Sequence, residues 1–190
     1  VSGRDRGAGV IITRRRLDPP VWKFRDLMIR RYRTADHERV LALHHEGLAQ
    51  VGLRPGDGVY YDHDLPCLEE IYLCEGGEFL VGERLTAMDP GPCVVAMAGL
   101  RPVDHETAEV VRLRVDPRVQ RRGFGGAMLL ALESRATELG YRVLRGDTTT
   151  LQGPALELYR RFGWRETRRE AICGIVNIYG EKPLRPPTPP

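Results

Sequence analysis

The chain has 190 residues, of which 42% are hydrophobic and 29% charged, with a formal net charge of +3. That length suits one domain with a sizeable core, and the near-balanced charge gives no sign of a nucleic-acid partner. No window holds 18 consecutive apolar residues and the start lacks an apolar signal-peptide core, so neither a membrane span nor a secretory leader is expected.

Residues 1–26 are rich in Arg, Gly and Pro without usable periodicity, and are expected to form a flexible basic arm, with Arg14–Arg16 a solvated charge run. Met28 stands just before a strand-like run, Ile29 to Arg33, and is expected to be the natural start. Thr34 reads as an N-cap, with Asp36 and Glu38 in the first turn of a helix. Val40, His44, Gly47, Leu48 and Val51 share one stripe of that helix, which makes His44 a core or pocket-edge histidine. The segment "RPGDGVYYDHD" reads as a loop whose Asp57, Asp62 and Asp64 could attract a cationic amine. Asp64 could also cap a second helix that carries Pro66 in its first turn and runs to about Cys74. "EFLVGE" and "CVVAMAGLRP" read as strands, and Ala108 to Val115 alternates as a third, longer one.

After that strand comes "QRRGFGG", Gln120 to Gly126. Three glycines in four residues weaken the start of a helix, so the turn needs bare backbone. The first amides of a helix lack internal partners and carry the positive end of its dipole, which makes such a turn an anion site, most often for phosphate. A dinucleotide fingerprint would need glycine where Met128 stands, and no G-K-[ST] closes a Walker loop. Leu129, Leu132, Ala136 and Leu139 stripe the helix, and Gly140 sits at its C′ position. "YRVLRGDTT" reads as a strand. Pro154 opens a short helix to Phe162 that Gly163 ends, and "AICGIVNIYGEK" reads as a closing strand, with room for one more near Trp164 to Thr167. The proline-rich residues 183–190 are expected to be an extended tail. Cys67, Cys74, Cys93 and Cys173 form no C-x-x-C pair or metal motif, and three of them sit among apolar residues as expected buried free thiols, Cys93 and Cys173 within strands. The fold expected over residues 27–182 is α/β (α+β): a mixed, mostly antiparallel sheet of six to seven strands with helices on both faces.

The Q-x-x-G-x-G of the turn, followed by Leu158-Tyr159 and Gly163-Trp164 in the pattern L-Y-x-x-x-G-[FW], resembles the GNAT superfamily of N-acetyltransferases, in its small single-domain bacterial form. The resemblance spans about residues 28–182. It implies that Gln120, Arg121, Arg122, Gly123, Phe124, Gly125 and Gly126 hold the pyrophosphate of coenzyme A. It also implies that the backbone of Leu113, Arg114 and Val115 pairs with the pantetheine arm. Gln152 stands near where relatives often carry a cofactor-binding asparagine. Glu109 takes the place of a general base, acting directly or through water, and Tyr159 that of a general acid. The expected reaction is direct attack of a primary amine, of a small molecule, on the thioester of acetyl-CoA. No metal, nucleic acid or membrane is involved, and the enzyme is a cytoplasmic monomer or homodimer. Protein lysine or N-terminal acetylation and a non-catalytic acyl-CoA-sensing module are the alternatives.

Overall fold

The computed structural model describes residues 3–15, 19–55, 62–74, 76–84 and 93–184. Its strands are β1 (Gly3–Gly7), β2 (Val10–Arg15), β3 (Val21–Phe24), β4 (Leu27–Arg31), β5 (Glu78–Arg84), β6 (Cys93–Pro102), β7 (Thr107–Val115), β8 (Val143–Thr149), β9 (Arg165–Ile172) and β10 (Ile175–Pro183). They form one sheet in chain order through β8, followed by β10 and then β9. All neighbours run antiparallel except β7 and β8, which are parallel. Four α-helices, α1 (His37–Ala49), α2 (Leu68–Tyr72), α3 (Phe124–Glu138) and α4 (Gly153–Arg161), occur among the described residues. Helices α3 and α4 pack on one face, around Leu129, Leu132 and Phe162, and α1 and α2 on the other, around Leu43, Tyr72 and Phe79. The mixed, mostly antiparallel sheet with helices on both faces is the expected class, but it is ten strands wide.

The added width corrects the expected arm. Gly3–Gly7, Val10–Arg15 and Val21–Phe24 are not a loose extension but three further strands at the β4 edge. Ile12 and Trp22 are wholly buried there, and burying each such side chain contributes about 2–3 kcal/mol. Two-residue turns at Ala8-Gly9 and Arg25-Asp26 connect these strands, with positive φ at Ala8, Gly9 and Arg25. A similar turn at Cys173-Gly174, both with positive φ, splits the expected closing strand into the β9–β10 hairpin. Cys173 is therefore exposed in a turn rather than buried in a strand; Cys67 and Cys74 are exposed too, and Cys93 is half-buried. Thr34 opens a single 3₁₀ turn instead of capping α1, and its hydroxyl donates to Glu69 Oε1 at 2.6 Å.

Gly140 ends α3 as expected. At φ +93° it donates to Thr137 O at 3.1 Å while Tyr141 donates to Ala136 O at 3.0 Å, the paired bonds of a Schellman cap. Pro183 closes β10 and Leu184 packs on the core; the rest of the expected tail, residues 185–190, lies outside the described residues. No helix among the described residues is long and apolar enough to cross a membrane.

Candidate active site

A cleft opens where β7 and β8 part. Their pairing runs from Thr107 opposite Val143 to Val110 opposite Gly146 and then stops, although β7 continues to Val115 and β8 to Thr149. A β-bulge lies at the same place: the β6–β7 register shifts between Met97 and Gly99, and Arg112 sits at φ +57°. The extra residue bends β7 away from its parallel neighbour. Past Val110 no strand among the described residues pairs with β7 on its β8 side, and Leu113, Arg114 and Val115 line the opening; the carbonyl of Leu113 accepts there from Arg114 Nη1 at 2.9 Å. The cleft holds about 950 Å³, at the upper end for a small-molecule or cofactor site.

The glycine turn forms one end of the cleft. Asp116 stops β7 by accepting from Arg118 N at 2.9 Å, which starts a 3₁₀ turn over Pro117–Val119. Gln120 then donates through Nε2 to Val115 O at 3.0 Å and to Gln50 Oε1 at 2.9 Å, closing the turn back on the strand. Arg121 (φ +60°) and Gly123 (φ +88°) are left-handed, and Gly123 is the N-cap of α3 with no side-chain cap bond. Alternating handedness of this kind turns successive N–H groups to one side and makes an anion-binding concavity at a helix N-terminus. Gly126 must also be bare for packing: a Cβ there would stand 2.7 Å from the Phe162 ring. Gln120, Arg121, Gly123, Phe124, Gly125 and Gly126 line the cleft, whereas Arg122 is turned to its outside.

The opposite wall is α4. Tyr159 is half-buried, its ring 4.8 Å from that of Trp164, and it lines the cleft together with Gln152, the N-cap residue of α4. Pro154 falls at the first turn of this helix, as expected.

At the far end of the cleft lies a polar network the sequence did not reveal. Arg112 donates through Nη1 to Asp62 Oδ1 at 2.8 Å and through Nε to Asp64 Oδ2 at 3.1 Å, with a further bond from Nη2 to Asp64 Oδ1. Tyr72 donates its hydroxyl to Asp64 as well. Burial, then the Asp64 bond and charge, raise the Tyr72 pKa; Arg112 and Tyr72 together hold Asp64 below its ordinary range despite burial. Asp62 and Asp64 are thus committed to Arg112 and do not present free charge to an amine, and Asp64 makes no helix-capping bond. Asp57, Tyr60 and Tyr61 lie outside the described residues. Glu109 accepts from Arg101 through Nη2 at 2.5 Å and Nε at 3.2 Å; Arg101 lines the cleft and Glu109 does not. Asp147 of β8, which accepts from Asn177 Nδ2 at 2.9 Å, does line it.

His44 backs this network from α1. It is wholly buried, with Nε2 3.0 Å from Asp62 Oδ1. Burial is the largest influence on it and pushes its pKa from 6.5 down to about 4; Arg114 and Arg112 act the same way and Asp62 opposes them. The unfolded chain therefore protonates this histidine first as pH falls. The stability that neutral His44 contributes is whole above pH 6.5 and is lost as pH falls through about 4. Denaturant unfolding between those limits is expected to show a decline of up to about 3 kcal/mol. His44→Gln should flatten the decline, and an unchanged slope in that variant would refute the assignment.

The acetyltransferase (GNAT) family matches residues 51–164 of the chain. Human N-acetyltransferase 8 is 31% identical over 116 residues, 58% of this chain and 48% of the human protein, so the chain spans about half the length of that curated relative. Among solved structures, an acetyltransferase of the GNAT family from Staphylococcus aureus Mu50 is similar with a TM-score of 0.70 at 17% identity, covering 84% of this chain and 99% of that one. Salmonella typhimurium YncA, solved with its cofactor acetyl-CoA, is similar with a TM-score of 0.68 at 19% identity, over 86% of this chain and 97% of that one. At such identities the structural likeness is one of fold.

Proposed function

Because the chain belongs to the GNAT acetyltransferase family, we propose that it moves an acetyl group from acetyl-CoA to a primary amine of a small molecule. One observation carries the reading: the glycine turn, the stretch of β7 that no described strand covers on its β8 side and Tyr159 all border a single cleft. The amides from Gln120 to Gly126 and the N-terminus of α3 take the pyrophosphate, with Arg121 adding charge from the cleft wall and Arg122, which does not line it, contributing its backbone alone. Leu113, Arg114 and Val115 pair with the pantetheine arm as with an added strand, and Gln152 borders the same arm from α4.

The chemistry needs a neutral amine and a stabilised leaving group. An alkyl amine of pKa ~10 is mostly protonated at neutral pH, so a base must accept its proton. The nitrogen lone pair then attacks the carbonyl carbon, the C–N bond forms, and the C–S bond breaks. Tyr159 gives its phenolic proton to the departing thiolate. Glu109 is the proposed base, reached through water because it stands behind Arg101. Asp147 tests this assignment. Glu109→Gln is expected to remove the acidic limb of the kcat/KM pH profile while Asp147→Asn keeps it, and the reverse pattern would move the base to Asp147.

Acetyl-CoA supplied with pooled amines tests the function. Release of free thiol that depends on a small amine is expected. Release with peptides alone would move the acceptor to lysine or N-terminal amines of proteins. Coenzyme A binding with no release in any pool would leave an acyl-CoA-sensing module.

A further inference from the structure

We propose that the β3–β4 hairpin is a working part of the phosphate turn, with Phe24 and Arg25 as positioning residues that hold the turn in its anion-binding shape. The inference rests on reading that turn as the coenzyme A cradle. It starts from the three N-terminal strands, which the catalytic reading leaves without a role although they touch the cradle at several points. Arg25 Nη1 donates to Arg122 O at 3.2 Å. The Phe24 ring lies 3.1 Å from where a Cβ on Gly123 would stand, and meets the Phe124 ring edge-on at 6.4 Å. Val10 lies 3.2 Å from the Cβ position of Gly126, and Arg161 of α4 donates to Ala8 O at 3.2 Å. The hairpin tip thus touches the turn, and the β1–β2 turn touches the helix across from it.

The effect on the anion site follows from peptide geometry. In a trans peptide the C=O and the next N–H point in opposite directions. Anchoring the Arg122 carbonyl on Arg25 therefore fixes the Gly123 N–H facing away from Arg25, at a residue that lines the cleft while Arg122 does not. Phe24 packs against the same residue, where a Cβ would crowd its ring at 3.1 Å. Arg25 itself is left-handed at φ +52°, the backbone form required by the tight β3–β4 turn. The hairpin has a tie of its own that does not use Arg25, Asp26 accepting from Arg84 Nε at 2.7 Å. Arg25 can therefore be changed without dismantling the turn that carries it.

Titration calorimetry of the full chain with coenzyme A and with 3′-dephospho-coenzyme A tests the proposal. Arg25→Gln should weaken both ligands alike, by about fivefold to tenfold, and Arg25→Lys, which keeps a donor, should recover at least half of the loss. Phe24→Leu should weaken both ligands in the same way. In the free protein, amide hydrogen exchange from Arg122 to Gly126 should speed up in Arg25→Gln while the unfolding midpoint stays put. Unchanged affinity in Arg25→Gln overturns the proposal. So does a loss confined to coenzyme A, because that would make Arg25 a direct ligand of the 3′-phosphate. If the unaltered chain binds neither nucleotide, the cradle reading itself falls, and that failure is distinct from equal binding by wild type and variant.

Discussion

Arg112→Ala is expected to cost about 3 kcal/mol of stability, because removing one partner of a buried ion pair strands the others. Only 10% of the Arg112 side chain is exposed, and it holds Asp62 and Asp64 at 18% and 8%. Without the guanidinium, two carboxylates lose this counter-charge at once, and Asp64 keeps the neutral Tyr72 hydroxyl as a donor. For a domain of this size the unfolding midpoint should fall by about 6–12 °C. A second comparison separates charge from backbone. Arg112 sits at φ +57° in the bulge, a conformation that costs a residue with a Cβ about 1 kcal/mol. Arg112→Gly should therefore be more stable than Arg112→Ala by about that amount, the reverse of the usual order within a strand. Arg112→Lys should not rescue, since an ammonium cannot present the fork that two carboxylates share. Chemical denaturation of the three variants decides the matter; equal stability of the Gly and Ala forms would contradict the bulge argument. The same variants should raise the acceptor KM while leaving coenzyme A affinity alone, because the residues released border the far end of the cleft.

Tyr159→Phe is expected to lower kcat by about 100-fold, a typical contribution of one positioned proton donor. The phenyl ring keeps the packing on Trp164, 4.8 Å away, so stability and coenzyme A affinity should change little. A donor must be protonated to act, so the wild-type rate should fall as pH rises through the phenol's pKa. The variant should lack that alkaline limb. If Tyr159→Phe keeps the full rate, or loses rate and coenzyme A affinity together, the residue packs on the ligand and gives no proton.

The spine of the site was legible because its signals are local. A long strand, a glycine turn, a helix and a Tyr-containing short helix follow one another in "VDPRVQRRGFGG" and "LYRRFGW", and each occupies a contiguous stretch. What was not legible depends on pairs far apart in sequence or on a single misplaced residue. The run "AEVVRLRV" alternates like a regular strand, yet the bulge turns Val111 and Arg112 toward the same face, and nothing in the letters marks it. Arg112 then meets Asp62 and Asp64, some fifty positions earlier, so two aspartates that looked available to an amine are already paired. The N-terminal strands were missed because arginines and glycines dilute "VIIT" and "VWKF" below any clear period. The structure nonetheless buries Ile12 and Trp22 of these strands completely. The extra strand expected near Trp164 to Thr167 is the start of β9, whose full length the letters do not mark, because it lies exposed at the sheet edge and "RETRREA" has no apolar face to alternate.

Transfer is distinguished from mere binding or cleavage of the thioester by incubating the protein with acetyl-CoA that carries a labelled acetyl group and with pooled small amines, then weighing the amines by mass spectrometry while titrating free thiol. One labelled acetamide is expected for each thiol released, on an amine of the small-molecule pool. Thiol released with the label recovered as free acetate, or no label moved to any amine, would contradict transfer.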